Sequence, residues 1–238
     1  MKLVLLAAGR GTRFLPVTEN LPKALVPFLD ATLVDYVLAA YIPSVSSIIA
    51  VVNESTGSHL MRHLGERYRD LPVSYAVQTS RQPRGTWSAL GTAYAHLADS
   101  NELFCVCNCD DIVAPKDVAQ ALSQNTTGCG VALGSMHSGY VSLEFVPNGN
   151  ITGQKIHPDS TGLVHDFYPN GMYVLDRHFF SFDPVATRDG EYGLPHTVFA
   201  HMQDYPLRAF EFTSWQSVNS PNDIPVAMQL AQSLGLHI

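Results

Sequence analysis

Two glycines, Gly9 and Gly11, stand directly after the first apolar run of the chain, residues 3–8. Three basic residues fall within the fourteen positions 10–23: Arg10, Arg13 and Lys23. Glu19 is the only acidic residue among them, so this stretch carries a local charge of about +2 in a chain whose formal net charge is −7. Glycines let a backbone approach a ligand closely and direct its N–H groups toward it. The pattern therefore predicts a loop that binds a polyphosphate.

The two common phosphate-binding patterns do not fit this loop. A Walker loop needs a lysine and a serine or threonine after the second glycine, and here Thr12 and Arg13 follow Gly11. A dinucleotide-binding loop needs a third glycine where Phe14 stands. A plain strand-to-helix turn with surface arginines is the alternative without a ligand.

The elements that would position this loop alternate along the first half of the chain. Short apolar runs are typical of buried strands, and the segments between them show helical spacing. The strand candidates are residues 3–8, 48–52, 73–77 and 103–107, and the helical sets are Leu60, Leu64 and Tyr68, then Ala89, Leu90, Ala93 and Leu97. This alternation predicts an α/β fold with a mostly parallel sheet and helices on both faces, and ligands of such sheets bind at strand ends.

The pattern changes after about residue 128. Short strand candidates separated by Gly, Asn and Pro predict an antiparallel subregion beside the parallel sheet. They are residues 131–133, 140–146, 151–156 and 172–175, followed by a strand at 207–212 and a helix at about 223–234 that Ser220 and Pro221 introduce. Nothing marks a domain boundary, so we expect a single domain, residues 1–238.

Composition excludes several classes of protein. Charged residues make up only 15 % of the 238, which argues against disorder, and 14 basic against 21 acidic residues disfavours a general nucleic-acid binder. No apolar stretch is long enough to span a bilayer, and the first one is too short for a signal peptide, so we expect no membrane partner and a cytoplasmic location. The low charge also favours a homo-oligomer.

Two sets of residues have metal-like spacing, and we interpret both as structural. Cys105, Cys107 and Cys109 alternate along one apolar run, and Cys129 is distant, which suits buried small side chains in a reducing compartment. His59 and His63 lack an acidic third partner nearby, so we expect a solvated or internally satisfied pair.

The glycine loop and its surroundings resemble the signature of the sugar-1-phosphate nucleotidyltransferases. The resemblance rests on residues 6–13 (LAAGRGTR), Pro16, Thr18, Pro22-Lys23 and residues 25–27. Weaker similarity continues to the C-terminus. It implies a Rossmann-like fold with an inserted sugar-binding region and the reaction of a nucleoside triphosphate with a sugar 1-phosphate, giving an NDP-sugar and pyrophosphate, with Mg²⁺ as cofactor. The expected parts are about residues 1–127 for the nucleotide, 128–212 for the sugar and 213–238 for a closing metal-site segment and helix.

The resemblance assigns roles at the nucleotide end. Residues of the loop would wrap the triphosphate: Ala8, Gly9, Gly11 and Thr12. Arg13 would stabilise the leaving pyrophosphate, and Lys23 would contact the phosphates at the reacting centre, which agrees with the charge neutralisation that phosphoryl transfer needs. Gln78 would read the base, Gly85 would let the base approach the backbone, and Thr86 would follow Gly85 at the opening of a helix. The loop 79–84 is about two residues longer than the family's, so the resemblance does not decide which base is bound.

The resemblance also assigns the metal and sugar ends. Asp110 would bind Mg²⁺, with Asp111 behind it or facing substrate, and Asn219 would be the second ligand, because Ser217 replaces the usual aspartate. Ser217 and Asp223 remain alternatives, with Asp223 expected at a helix start. Lys155 would bind the sugar phosphate. The remaining sugar-site residues are Gln154, Asn170 and Gly171, with Gly139-Tyr140 as the strand entering the pocket.

Three competing functions stay open. A nucleotidyltransferase acting on a non-sugar alcohol phosphate would share the loop and Lys23. A glycosyltransferase also uses a strand-end acidic pair with a metal, but has no use for a triphosphate loop. A non-catalytic nucleotide-binding regulator is suggested by Ser217, where the family usually has an aspartate. The residues do not decide which sugar or base is used.

Overall fold

A computed structural model describes residues 1–97, 102–137, 141–157 and 162–238 of the chain. The expected pocket entry at Gly139-Tyr140 lies outside the described residues. The α-helices are α1 (Leu33–Tyr41), α2 (Gly57–Leu64), α3 (Thr86–Thr92), α4 (Pro115–Ser123), α5 (Leu194–Ala200) and α6 (Ile224–Ser233). The strands are β1 (Lys2–Ala7), β2 (Pro27–Phe28), β3 (Ala31–Thr32), β4 (Ser47–Asn53), β5 (Arg67–Tyr68), β6 (Leu71–Gln78), β7 (Phe104–Asn108), β8 (Asp111–Val113), β9 (Gly128–His137), β10 (Val141–Phe145), β11 (Ile151–Ile156), β12 (Leu163–Leu175), β13 (Arg208–Phe212) and β14 (Trp215–Ser217).

Eight strands form the central sheet, in the order β13-β9-β12-β7-β1-β4-β6-β5. The strands β7, β1, β4 and β6 are mutually parallel, as the alternating apolar runs predicted. β12 runs antiparallel to both of its neighbours, and β13 runs parallel to β9. The carboxyl ends of the four parallel strands therefore meet at one edge, where the glycine loop follows β1.

Helices cover both faces of the sheet, so the strand β1 is buried on both sides. Leu3 and Leu5 belong to one apolar cluster, and Val4 and Leu6 belong to the other. The first cluster includes residues of α1, α2, α4 and α6, and the second includes residues of α3 and α5. The predicted α/β class is confirmed. No helix in the described part of the chain has the length and apolar character to cross a membrane.

The second half contains the predicted antiparallel strands, and part of them extends the central sheet. β9 and the 13-residue strand β12 join the central sheet, while β10 and β11 form a two-stranded antiparallel hairpin of their own. The sequence revealed only the last part of β12, because its first residues alternate the exposed Leu163 and His165 with the half-buried Val164 and Asp166 and so lack a clear apolar face.

One helical set was wrong at its end. Leu60 and Leu64 lie on α2, but Tyr68 lies in β5. Gly65, with a φ of +63°, ends the helix and turns the chain, so the spacing from Leu64 to Tyr68 is coincidental. Both histidines of the pair on α2 are satisfied within the fold: His59 Nδ1 lies 3.2 Å from the Thr56 carbonyl oxygen, and His63 Nε2 lies 2.8 Å from Asp35 Oδ1.

The four cysteines are buried and free, as expected. Burial raises the pKa of each of these thiols, so they stay protonated. Within the described ranges, no group of three or more His, Cys, Asp or Glu side chains is placed to hold a metal ion. The cysteines therefore act as small core residues.

Candidate active site

The glycine loop is held in shape by its own residues. Gly11 has a φ of +61°, and a Cβ there would lie 3.0 Å from Thr18 Cγ2 and 3.2 Å from Lys23 Cβ. The Thr18 hydroxyl donates to the Gly11 carbonyl oxygen at 2.6 Å, so the chain folds back on the loop. Three short 3-10 helices follow instead of an α-helix, and the first begins at Thr12.

The loop is open to a ligand at its tip. Gly9 is exposed, and a Cβ placed on it would meet no atom within 4 Å. Ala8, which precedes it, is 8 % exposed and ends the buried run. Arg10 and Arg13 are both exposed at this tip. The loop therefore offers free backbone and two guanidinium groups to solvent, an arrangement that suits a polyphosphate.

Lys23 connects the loop to the end of β7. Its ammonium forms an ion pair with the Asp110 carboxylate, and both side chains are largely buried, 13 % and 19 % exposed. The Lys23 ammonium also lies 5.2 Å from the centroid of the Phe14 ring. These contacts bring a phosphate-binding cation and a strand-end carboxylate to one point.

The C-terminal segment closes over the same point. The backbone N–H of Val218 donates to the Asp110 carbonyl oxygen at 2.8 Å. Arg13 Nη1 donates to Asn219 Oδ1 at 3.3 Å, and Asn219 Nδ2 donates to the Ser217 hydroxyl at 3.1 Å. Residues from three distant parts of the sequence therefore meet here.

Asp111 is fixed from several sides. It is 3 % exposed, and its carboxylate accepts hydrogen bonds from Trp215 Nε1 at 2.8 Å and from Asn108 Nδ2 at 2.9 Å. Burial and the neighbouring Asp110 carboxylate raise the pKa of Asp111 to about 7, against the opposing hydrogen bonds from Trp215, Asn108 and Ser217. Asp111 therefore positions β14 against β8, as the antiparallel pairing of Ser217 with Asp111 also shows.

Gly171 is required by this network. It has a φ of +83°, and a Cβ on it would lie 2.3 Å from both Asn108 Nδ2 and Asp111 Oδ2. The neighbouring Asn170 is 1 % exposed; its Oδ1 accepts from the Met172 N–H at 3.1 Å, whereas its Nδ2 is buried without a hydrogen-bond partner. The Asn-Gly pair thus forms a bulge in β12 beside Asp111.

A cavity of about 370 Å³ opens next to this network. Its volume lies within the range of small-molecule sites. Both polar and apolar side chains line it. The lining residues are Thr86, Asn108, Asp111, Met136, Val141, Tyr168, Pro169, Asn170, Gly171, Tyr173, Leu194, Pro195, His196, Trp215, Ser217 and Asn219.

The residues assigned to the base lie at the next strand end. Gln78 ends β6, and its Nε2 donates to the Pro83 carbonyl oxygen at 2.9 Å. Gly85 has a φ of +111°, and a Cβ there would lie 2.2 Å from the Tyr192 carbonyl oxygen. The close approach that requires this glycine is therefore the backbone of Tyr192, where the sequence suggested a base. The Thr86 hydroxyl accepts from the Leu194 N–H at 2.8 Å, so the segment around Leu194 is tied to this loop.

Lys155 and Gln154 lie on β11, outside the wall of the cavity in the described chain. The Lys155 ammonium lies 3.4 Å from Glu144 Oε1 and 3.8 Å from Asp166 Oδ2. Gln154 is exposed. Asp166 shares a face of β12 with Tyr168, which does line the cavity, so Lys155 is beside the site without reaching into it.

The oxygen atoms near Lys23 and Arg13 have the chemistry that Mg²⁺ prefers. Asp110 supplies a carboxylate and Asn219 an amide oxygen, and Mg²⁺ takes only one or two protein ligands beside substrate phosphates. Asp223, an alternative ligand, is used elsewhere: its Oδ2 accepts from the Ser220 N–H at 2.7 Å and caps the last helical segment. The residues present therefore fit Mg²⁺ at Asp110 and Asn219.

Sequence reasoning missed several residues of the site. It assigned no role to Asn108, Trp215 or His196, and none to the apolar wall formed by Met136 and Val141. Trp215 was visible in the C-terminal motif, but its bond to Asp111 depends on the pairing of β8 with β14. No local signal marks the other four.

Comparison with known proteins places the chain in a family. A family model described as "Nucleotidyl transferase" matches residues 2–187, which is most of the chain. The chain belongs to the nucleotidyl transferase family. This confirms the resemblance to sugar-1-phosphate nucleotidyltransferases that the glycine loop suggested.

Curated relatives of this family member are distant. It is 23 % identical over 235 residues to the bifunctional protein GlmU of Methanococcus vannielii, covering 94 % of this chain and 53 % of the relative. The chain thus spans about half the length of GlmU. It is 31 % identical over 97 residues to the UTP–glucose-1-phosphate uridylyltransferase AglF of Haloferax volcanii, a match that covers 41 % of this chain and 39 % of the relative.

Solved structures share the fold along the whole nucleotidyl transferase chain. A UDP-glucose pyrophosphorylase complexed with UDP-glucose matches with a TM-score of 0.77 and 20 % identity, over 98 % of each chain. The inositol-1-phosphate CTP transferase of T. maritima matches with a TM-score of 0.80 and 18 % identity, over 100 % of this chain and 97 % of that one. At such identities these matches establish the fold alone.

Proposed function

We propose that this protein transfers a nucleotidyl group from a nucleoside triphosphate to a sugar 1-phosphate, giving an NDP-sugar and pyrophosphate. Family membership supports nucleotidyl transfer as the reaction type. The curated relative AglF carries a name that specifies glucose 1-phosphate as acceptor. The sugar phosphate and the metal are the proposed parts of the assignment.

One residue carries the proposal. Asn219 accepts a hydrogen bond from Arg13 of the glycine loop and also lines the cavity. The cationic loop and the cavity are therefore adjacent, and they meet where Asp110 pairs with Lys23. A triphosphate on the loop and an acceptor in the cavity would bring their reacting phosphates together at this point.

The reaction is a displacement at the α-phosphorus of the nucleotide. An oxygen of the acceptor phosphate forms the new bond to phosphorus while the bond to the bridging oxygen of the β-phosphate breaks. The electron pair of that bond leaves with pyrophosphate. Because a phosphate monoester is already ionised at neutral pH, the nucleophile needs no general base.

The protein's contribution is position and charge. Arg13 stabilises the departing pyrophosphate, and Lys23 neutralises the crowded oxygens around the α-phosphorus. Asp110 and Asn219 would hold Mg²⁺, which when bound neutralises phosphate charge and orients the triphosphate. Asp111, held by Trp215 and Asn108, keeps the cavity wall beside them in place.

A matrix of nucleoside triphosphates against phosphorylated acceptors tests the proposal. Pyrophosphate release is measured with Mg²⁺ present, and the nucleotide product is identified by mass. The proposal expects pyrophosphate and an NDP-sugar from at least one pair. A parallel assay supplies NDP-sugars as donors, where release of a nucleoside diphosphate with transfer of the sugar would indicate a glycosyltransferase. Nucleotide binding by calorimetry without any turnover would indicate a regulator. Either result, without pyrophosphate release in the matrix, overturns the proposal.

A second candidate is transfer to a non-sugar alcohol phosphate. The observation that favours it is the engagement of Lys155 by Glu144 and Asp166, away from the cavity wall. The fold match named as an inositol-1-phosphate CTP transferase is consistent with it. Inositol phosphate and phosphocholine therefore belong in the acceptor panel. The Lys155→Met variant separates the two candidates, with Lys116→Met on the exposed side of α4 as control. The second candidate expects an unchanged KM for every acceptor, whereas a KM raised by Lys155→Met for sugar 1-phosphates alone would favour the first.

A further inference from the structure

We propose that the acceptor carries a methyl group, as a deoxy or N-acetyl substituent, which rests against an apolar wall of the cavity. This inference rests on the proposed function and names the class of its acceptor. The wall is formed by Met136, Val141, Tyr168 and Trp215, all of which line the cavity. A fully hydroxylated hexose would leave a hydroxyl against this wall.

The apolar wall extends over one face of β9 and β12. The residues Ala132, Gly134 and Met136 alternate on the face of β9 that also carries Tyr168 of β12, since Ala132 pairs directly with Tyr168. A Cβ on Gly134 would lie 3.9 Å from Trp215 Cζ3 and 4.0 Å from Tyr168 Cδ2, with nothing closer. The absent side chain of Gly134 thus leaves room between two aromatic rings.

Four of the polar residues that line the cavity form hydrogen-bonded pairs: Asn108 donates to Asp111, and Asn219 donates to Ser217. Thr86, Asn170 and His196 are the other polar residues of the lining. No lysine or arginine of the described residues is part of the cavity wall. The acceptor phosphate therefore belongs at the mouth, near Arg13 and Lys23, and the cavity takes the uncharged part of the molecule.

The hydrogen-bonded polar residues and the apolar wall predict a direction for the acceptor. Hydroxyls of the ring would face the carboxylate and amides, while the methyl group of the substituent would face the wall. A methyl group in an apolar pocket gains roughly 10-fold to 200-fold in kcat/KM, and an added hydroxyl there is rejected by a similar factor. A preference of about 10-fold or more is therefore expected.

The test compares matched acceptors under one condition. The kcat/KM for pyrophosphate release is measured for hexose 1-phosphates, their 6-deoxy counterparts and their N-acetylamino counterparts, with the nucleotide that gives turnover. The two methyl-bearing sets separate a deoxy from an acylated substituent. At least one of them is expected to exceed its parent hexose by about 10-fold.

Two variants locate the preference in the wall. Val141→Thr keeps the side-chain shape and replaces a methyl group by a hydroxyl, and Met136→Gln keeps the approximate length and replaces the thioether by an amide. Each is expected to reduce the preference about 10-fold or abolish it. Leu133→Gln is the control, because Leu133 lies on the opposite face of β9 and is 55 % exposed. Melting temperatures of all three establish that the variants are folded.

The outcomes distinguish a failure of this inference from a failure of the proposed function. Equal or better turnover of the parent hexose 1-phosphates overturns the inference and leaves the proposed function intact. A methyl preference that both wall variants retain also overturns it, because the wall would then not be its source. Absence of turnover with every sugar phosphate overturns the proposed function, and the inference with it.

Discussion

Trp215 donates its indole N–H to Asp111 Oδ1 at 2.8 Å, although the two residues are 104 positions apart in the sequence. The pairing of β14 with β8 is only three residues long. The bond therefore adds a second link between the C-terminal segment and the strand ends of the central sheet. The same carboxylate also accepts from Asn108 on β7. Asp111 therefore links the strand ends to the segment that carries Asn219.

Trp215→Phe is expected to destabilise the protein by about 1–3 kcal/mol, because it removes one donor from a buried carboxylate and retains most of the ring. The measurement is the free energy of unfolding from urea denaturation at pH 8. Trp87→Phe is a matched control, since Trp87 Nε1 is buried without a hydrogen-bond partner. Equal losses in the two variants would show that the bond to Asp111 adds nothing beyond packing.

Asp110→Ala is expected to lower kcat/KM by about 100-fold or more with Mg²⁺, because it removes an electrostatic group at the reacting phosphates. The melting temperature should fall as well, because the variant leaves the largely buried Lys23 ammonium without its partner, so kcat/KM is measured at a temperature where the variant is folded. Glu19→Ala tests charge alone, because Glu19 is an exposed acid of the same loop region. Near wild-type turnover in Asp110→Ala contradicts the assignment of Asp110 to the metal.

Gly171→Ala is expected to disrupt the site by contact as well as by backbone strain. Its Cβ would lie 2.3 Å from both Asn108 Nδ2 and Asp111 Oδ2. Gly190→Ala isolates the strain, because Gly190 has a similar φ of +76° and a Cβ there meets nothing within 4 Å. Strain alone costs roughly 1–2 kcal/mol. Gly171→Ala should therefore lose clearly more unfolding free energy and most activity; similar losses in both variants would leave the crowding argument without support.

The sequence predicted the parts of this protein whose signals are local. The buried run of β1, its glycine loop and the basic residues near it are contiguous, so their meaning could be inferred before the fold was known. The Asp110–Asn219 neighbourhood was predicted only through the family resemblance, because 108 positions separate the two residues. The final helix was predicted within about one residue at each end, since Ser220 and Pro221 mark its start.

The parts that were not predicted depend on tertiary pairing. Leu163 and His165 give β12 a mixed start, and only its pairing with β9 reveals a strand of 13 residues. Gly85 looked like a site for close approach of a base, but the backbone of Tyr192 occupies that position. The apolar wall of the cavity combines residues of β9, β10, β12 and β14, and no single segment carries its pattern.

A network far from the cavity gives a pH dependence that can be worked out. Asp35 is 4 % exposed, and its carboxylate accepts from the Thr32 N–H at 2.9 Å and its hydroxyl at 2.6 Å, with Tyr68 and His63 as further partners. Burial acts to raise the pKa of Asp35, but the hydrogen bonds from Thr32, Tyr68 and His63 outweigh it, so the pKa is lowered below the ordinary 3.8.

The sign follows from proton binding in the two states. Between the lowered pKa of the folded state and 3.8, the unfolded chain binds the proton at Asp35 and the folded protein does not. The stabilisation from Asp35 is therefore fully present above about pH 4 and is lost as the pH falls through the folded-state pKa. Asp35→Asn should reduce the unfolding free energy at pH 7 by about 1–3 kcal/mol and flatten its decline below pH 4. Urea denaturation from pH 7 to pH 3 measures both effects, with the exposed Asp189→Asn as control; an unchanged acid decline in Asp35→Asn would place the sensitivity at other carboxylates.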